Sequence, residues 1–141
     1  MTNADMRWKQ RFANYKKAHN RLKNAAVFFA AKSGCEEEPL AIEALIKCIE
    51  LSFELAWQTM KDFMSYKGYI KDLYGSRDSI RGAMQFNLIE GDGQPWMDMI
   101  DDRNRAARIY DEGVAKHLAN RIVDGYCGEF VKFEEKMNSF L

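Results

Sequence analysis

Residues 8–29 read Trp8-Lys9-Gln10-Arg11-Phe12-Ala13-Asn14-Tyr15-Lys16-Lys17-Ala18-His19-Asn20-Arg21-Leu22-Lys23-Asn24-Ala25-Ala26-Val27-Phe28-Phe29. Within them Trp8, Phe12, Tyr15, His19, Leu22, Ala26 and Phe29 recur in alternating steps of four and three. That spacing keeps side chains on one stripe of an α-helix. It predicts a long first helix with a single core-facing stripe, broken at Lys32-Ser33-Gly34-Cys35.

The same period continues. A second long helix is expected from about Pro39 to Lys67, with Ile42, Leu45, Ile49, Phe53, Trp57, Met60 and Met64 apolar and Leu51 and Leu55 on another side. Such breadth implies burial on two faces, by its own bundle and by a second subunit. Lys67-Gly68-Tyr69 fits a C-cap. Ser76 is expected to cap a short third helix reaching Phe86 or Asn87. After the turn Glu90-Gly91-Asp92-Gly93, a fourth helix carries Trp96, Met99, Ile100 and Arg103. A last helix starts near Asp111, with Val114, Leu118, Ile122, Tyr126, Phe130, Phe133, Met137 and Phe140 as its core face. With no strand alternation and no repeat, the chain reads as all-α: an up-and-down helical bundle of two long helices plus shorter ones, dimeric.

Composition agrees. The 141 residues suffice for one domain, 1–141, with a real core and no staples. Hydrophobic residues at 47% and charged ones at 30% exclude disorder. No apolar run approaches the roughly 18 residues of a membrane span, and the N-terminus lacks the apolar core of a secretory signal. Cys35, Cys48 and Cys127 show no CxxC spacing and read as thiols of a cytoplasmic protein. With His19 and His117 as the only histidines, no metal site is expected.

The net charge of zero hides an asymmetry. Residues 1–32 carry Arg7, Lys9, Arg11, Lys16, Lys17, Arg21, Lys23 and Lys32 against Asp5. Residues 33–62 lean acidic. A basic helix can steer nucleic acid or an acidic protein; alternatively the first two helices neutralise each other.

The chemistry concentrates in Asp102-Arg103-Asn104-Arg105-Ala106-Ala107-Arg108-Ile109-Tyr110-Asp111-Glu112. Three guanidinium groups suit the paired-donor grip on phosphate. The competing reading is a helix surface laced with i,i+4 ion pairs. The segment resembles the Arg-Asn-x-x-x-His-x-Tyr signature of the HEPN superfamily, in the branch of nucleotidyltransferase substrate-binding proteins. Arg7-Trp8-Lys9-Gln10-Arg11-Phe12 with Tyr15 resembles the family's opening, and Phe53-Glu54-Leu55-Ala56-Trp57-Gln58 its central Phe-Glu-Leu-Ala-Trp-Lys block. Ser76-Arg77, Ile80-Arg81, Leu88-Ile89 and Trp96 with Met97, Met99 and Ile100 follow in the family's order.

The resemblance implies a HEPN-like dimer that pairs with a minimal nucleotidyltransferase, on which ATP and magnesium reside; no cofactor is expected on this chain itself. It names Arg103, Asn104, Arg105, Arg108, Tyr110 and Glu54 as substrate-binding candidates. Tyr110 is also the candidate acceptor of adenylylation, as in toxin–antitoxin versions of the pair. HEPN ribonucleases place arginine and histidine from two subunits in one cleft, the histidine moving protons and the arginine steadying the phosphate. Here the histidine position is Arg108, whose guanidinium stays charged above pH 12 and offers no usable base. The motif is degenerate, and an enzyme is not expected.

Positions 103 and 108 are five apart, about 140° around a straight helix. They converge only if the fourth helix opens near Ala106 to Ile109, or if a two-fold dimer brings copies together. Neither His19, inside an apolar stripe, nor His117 is expected to replace the missing base. Glu54, set among Phe53, Leu55 and Trp57, needs a partner and either pairs with a motif arginine or reaches solvent. Trp8, Trp57 and Trp96 read as core in preference to base-stacking platforms. Ser76-Arg77-Asp78-Ser79 reads as a cap in preference to an anion cradle, and Gly91-Asp92-Gly93 is no phosphate loop.

Three functions follow, in order. The first is a non-catalytic nucleotide- or substrate-binding subunit of a minimal nucleotidyltransferase. The second is a metal-independent ribonuclease toxin acting on RNA through Arg103. The third is a dimeric scaffold whose charged motif only holds helices together.

Overall fold

The computed structural model describes residues 2–69, 72–108 and 111–141, without the side chains of 106–108. Among the described residues there is no strand. Two long antiparallel helices, α1 (Asn3–Ala31) and α2 (Glu38–Tyr66), form the frame. Against them pack α3 (Ser76–Gln85), α4 (Gln94–Arg108), α5 (Glu112–Arg121) and α6 (Cys127–Asn138), with α5 and α6 joined through a π turn at Ile122–Tyr126. None of these helices is long and apolar enough to cross a membrane.

Local chemistry sets the boundaries. The Thr2 hydroxyl accepts from the Asp5 N–H at 3.1 Å and opens α1. Gly34, with φ +77°, turns the chain, and its N–H donates to Glu38 at 2.7 Å. Pro39 stands in the first turn of α2, where its missing N–H costs nothing. The expected cap at Lys67-Gly68-Tyr69 is present: Gly68 has φ +84°, its N–H reaches the Ser65 carbonyl, and Tyr69 N–H reaches Met64. Asp111 caps α5 by accepting from Gly113 and Val114 at 2.8 and 3.1 Å.

One cap differs. Ser76 is the first helical residue of α3 and Gly75 is the cap, with no side-chain bond. Asp78 instead reaches back past the cap to accept from the Tyr74 N–H at 3.3 Å.

The core follows the sequence stripes. Trp8, Phe12, Tyr15, His19, Leu22 and Phe29 of α1 are buried, with Ala26 half-buried. Trp96 of α4 packs edge-on against Phe130 at 5.2 Å, and the Tyr15 hydroxyl donates to the Phe130 carbonyl at 2.8 Å. Trp8 and Trp96 are core residues, as expected. At the ends of the last stripe Val114 is half-buried, and Phe140 is exposed on one side while its ring lies 4.7 Å from Phe63. The bundle covers only part of the apolar surface of α2: Leu51 is 48% exposed, and Leu55 and Trp57 are half-buried.

The last stripe contains a run that an α-helix does not accommodate. Val114, Leu118, Ile122, Tyr126 and Phe130 stand four apart. Each step of four overshoots a 3.6-residue turn by about 40°, so four such steps would walk the stripe roughly 160° around the helix. The wider π turn accommodates one extra residue and so takes back about 100° of that excess. As a result Leu118, Ile122, Tyr126 and Phe130 are all buried.

Candidate functional site

Adjacent residues at the head of the motif face different partners. Asp102 is buried at 7% exposure and Arg103 is half-exposed. The Asp102 carboxylate accepts from Arg121 Nη1 at 2.9 Å on each oxygen and from the Tyr126 hydroxyl, and Arg105 Nη1 stands 4.0 Å away. Burial first, and the Asp102 carboxylate second, push the Tyr126 hydroxyl well above its usual value of 10.0, so it stays a proton donor. The cluster ties α4 to the junction of α5 and α6. Sequence reasoning missed it, because Asp101-Asp102 does not reveal which carboxylate turns inward.

Arg103 turns the other way, toward α2. Its Nη1 lies 3.5 Å from Glu54 Oε2, and its guanidinium carbon stands 5.3 Å over the centre of the Phe53 ring. Ring and carboxylate both favour the cation there. Glu54 is itself held, accepting from Trp57 Nε1 at 3.0 Å and from Gln58 Nε2 at 2.9 Å. Gln58 accepts in turn from Arg11 at 2.6 Å, and Arg11 also donates to Asp62 at 3.0 Å. Of the two alternatives for Glu54, the ion pair with a motif arginine is made, and Trp57 helps position it instead of lying in the core. Arg11–Asp62 is the one ion pair joining α1 to α2 among the described residues, so the two helices do not neutralise each other broadly.

Arg103 and Asn104 border an open groove of about 680 Å³ between α1, α2 and the end of α4. Ala18 and Arg21 of α1 form one side; Lys47, Cys48, Glu50, Leu51 and Glu54 of α2 form the floor. Arg21, Lys47 and Arg103 supply three cations against Glu50 and Glu54, one of which is paired with Arg103. Arg21 and Lys47 carry no signal in the sequence that separates them from other surface cations.

Arg105 is exposed beside Asp102 and does not line the groove. Helix α4 runs unbroken to Arg108, so within one chain positions 103 and 108 remain about 140° apart around its axis. Of the two routes to convergence, an opening of the fourth helix near 106 to 109 is absent through residue 108. The Arg108 side chain and Tyr110 lie outside the described residues. Neither histidine reaches the groove. His19 is 1% exposed and contacts Tyr15, Phe130 and Glu134; His117 is exposed on α5. Arg77, at the start of α3, is paired with Asp101 at 2.9 Å.

No curated protein sequence matches the chain. A family model described as "Nucleotidyltransferase substrate binding protein like" matches residues 10–139, a span that contains α2, α4, the groove and the Asp102 cluster. The chain belongs to this HEPN-related family of nucleotidyltransferase substrate-binding-protein-like chains.

Proposed function

We propose that this chain is a non-catalytic subunit that pairs with a minimal nucleotidyltransferase and binds the phosphate-bearing part of its nucleotide or substrate in the groove beneath Arg103. The observation that carries the reading is the held state of Arg103. A guanidinium stacked on Phe53 and aligned by Glu54 is pre-organised at the mouth of a groove with two further cations, Arg21 and Lys47. Pre-organisation lowers the ordering cost of gripping a phosphate, and the planar fork suits two phosphate oxygens at once. Asn104 adds an amide that can donate and accept. ATP and magnesium belong to the partner in this reading, and a second copy of the chain completes a homodimer.

The reading excludes proton transfer by the chain itself. Position 108 carries a guanidinium, and the buried His19 faces α6. Tyr110 is proposed as the hydroxyl that the partner would adenylylate in a toxin–antitoxin arrangement.

The test is co-expression with a minimal nucleotidyltransferase, then incubation with ATP and magnesium, intact-mass analysis and calorimetry of nucleotide binding. A stable complex with nucleotide affinity that depends on Arg103 supports a substrate-binding subunit. An added AMP mapped to Tyr110 supports the adenylylated arrangement. RNA cleavage by the isolated chain, abolished by Arg103→Ala, overturns the non-catalytic reading.

A further inference from the structure

A second groove, of about 510 Å³, runs on the other side of the Lys47–Glu50 ridge of α2, against the start of α5. It extends along α2 from Pro39 to Glu50, roughly 17 Å at 1.5 Å per residue, or three helical turns. Its floor is apolar: Ile42 and Ile46 of α2 face Val114 of α5, and Leu40 at the rim is 67% exposed.

The charges around this floor have the opposite bias to those of the Arg103 groove. Glu43, Glu50, Asp111 and Glu112 stand on the rim with Lys47 opposing them. Lys116 is already matched to Glu38 at 3.1 Å. Among the described residues no ion pair engages Glu43, Glu50 or Glu112. An anionic ligand is repelled here. An apolar strip three turns long with an acidic rim fits a helix that presents anchors at i, i+3, i+4 and i+7 between flanking lysines or arginines.

We propose that this groove is the docking surface for a basic amphipathic helix of the nucleotidyltransferase partner, a proposal that rests on the pairing argued above. The two grooves share Lys47 and Glu50. A partner helix lying in the acidic groove would hold its nucleotide beside the cationic one, dividing docking from phosphate recognition by charge sign. The chain's own basic helix is a poorer occupant. Its large exposed apolar residues toward the C-terminal end are Val27 and Phe28, adjacent in sequence and so on diverging faces, not in an i,i+4 row.

The test begins with a labelled three-turn Lys/Leu amphipathic peptide and its Glu/Leu counterpart. The Lys/Leu peptide is expected to bind, more weakly as salt rises, and the Glu/Leu peptide is expected not to bind. Glu43→Lys combined with Glu112→Lys, both at exposed positions, should weaken binding by about tenfold or more while leaving the helical circular dichroism unchanged. Equal binding of both peptides, or indifference to the double substitution, overturns the groove assignment. The co-expressed transferase then tests the occupant. A complex lost in the double variant but retained by Arg103→Ala supports the proposal. A complex untouched by the double variant overturns the docking surface alone. No complex with the unsubstituted chain overturns the pairing as well. If the double substitution instead dissolves a homodimer, a second copy fills the groove and the proposal falls.

Discussion

Arg121 and Tyr126 hydrogen-bond the same carboxylate, that of Asp102, although they stand five residues apart on one continuous helical run. On an α-helix that separation points side chains about 140° apart. The π turn at Ile122–Tyr126 closes i to i+5 and brings the two donors into line. Tyr126→Phe keeps the ring in the core and removes one donor from a buried charged acceptor. Urea unfolding should show a loss of about 1–3 kcal/mol, toward the low end because the Arg121 contacts remain. A variant as stable as the unsubstituted chain would mean that the hydroxyl contributes nothing to fixing α4.

How much of this was legible in the sequence depended on whether the signal was local. The stripe from Trp8 to Phe29, the glycine cap at Gly68 and the aspartate cap at Asp111 each depend on neighbours a few residues away, and each is found where its spacing places it. The Glu54–Arg103 pair was partly legible, because a carboxylate among Phe53, Leu55 and Trp57 requires a partner. The groove was not, since Arg21 and Lys47 matter only once α1 and α2 stand beside the end of α4. The π turn was written in the four-residue steps from Val114 to Phe130, which also pass for an ordinary helical stripe. The buried Asp102 depended on that turn and was equally hidden.

Arg103 offers its plane to Phe53 and one edge to Glu54. Arg103→Ala is expected to weaken nucleotide binding by the complex with the transferase by roughly 10- to 100-fold, the scale of losing a hydrogen bond to a charged group. Arg103→Lys should recover only a minor part, because an ammonium keeps the charge but loses the paired donors and the stacking. Titration calorimetry of both variants checks this. Full recovery by lysine would reduce the site to a point charge.

His19 gives the fold a pH dependence of predictable sign. Its Nδ1 lies 2.9 Å from a Glu134 carboxylate oxygen, which can only accept, so Nδ1 carries the proton. Among the described residues its Nε2 is buried without a partner. A second proton there would be a buried donor with no acceptor. Burial therefore outweighs the attraction of Glu134 and lowers the imidazole below its ordinary 6.5. The unfolded chain then binds the proton more readily. The stabilisation is fully present above pH 6.5, is lost as pH falls through the depressed folded value, and levels off below it. Urea midpoints taken across this window should fall with acid, and His19→Phe should flatten that part of the profile. An unchanged slope in the variant would assign the dependence to other groups.

Gly93 opens α4 in a conformation that other residues resist. Its φ is +69°, and a Cβ placed there would lie 2.2 Å from Met84 Sδ and 2.8 Å from Met84 Cγ. Those are mid-chain atoms of Met84, so relief requires the whole side chain to change rotamer and not just its methyl end. Gly93→Ala therefore combines a left-handed backbone penalty of about 1–2 kcal/mol with displacement of a side chain packed against the core. Gly91, also at positive φ (+72°), has open space within 4 Å of where a Cβ would stand, so Gly91→Ala incurs the backbone term alone. The difference between the two variants in chemical unfolding isolates the contact with Met84. Gly93→Ala should be the less stable by about 1 kcal/mol or more, the scale of an overpacked side chain. Met84→Ala, which removes the obstructing atoms, should bring the two glycine substitutions to the same cost.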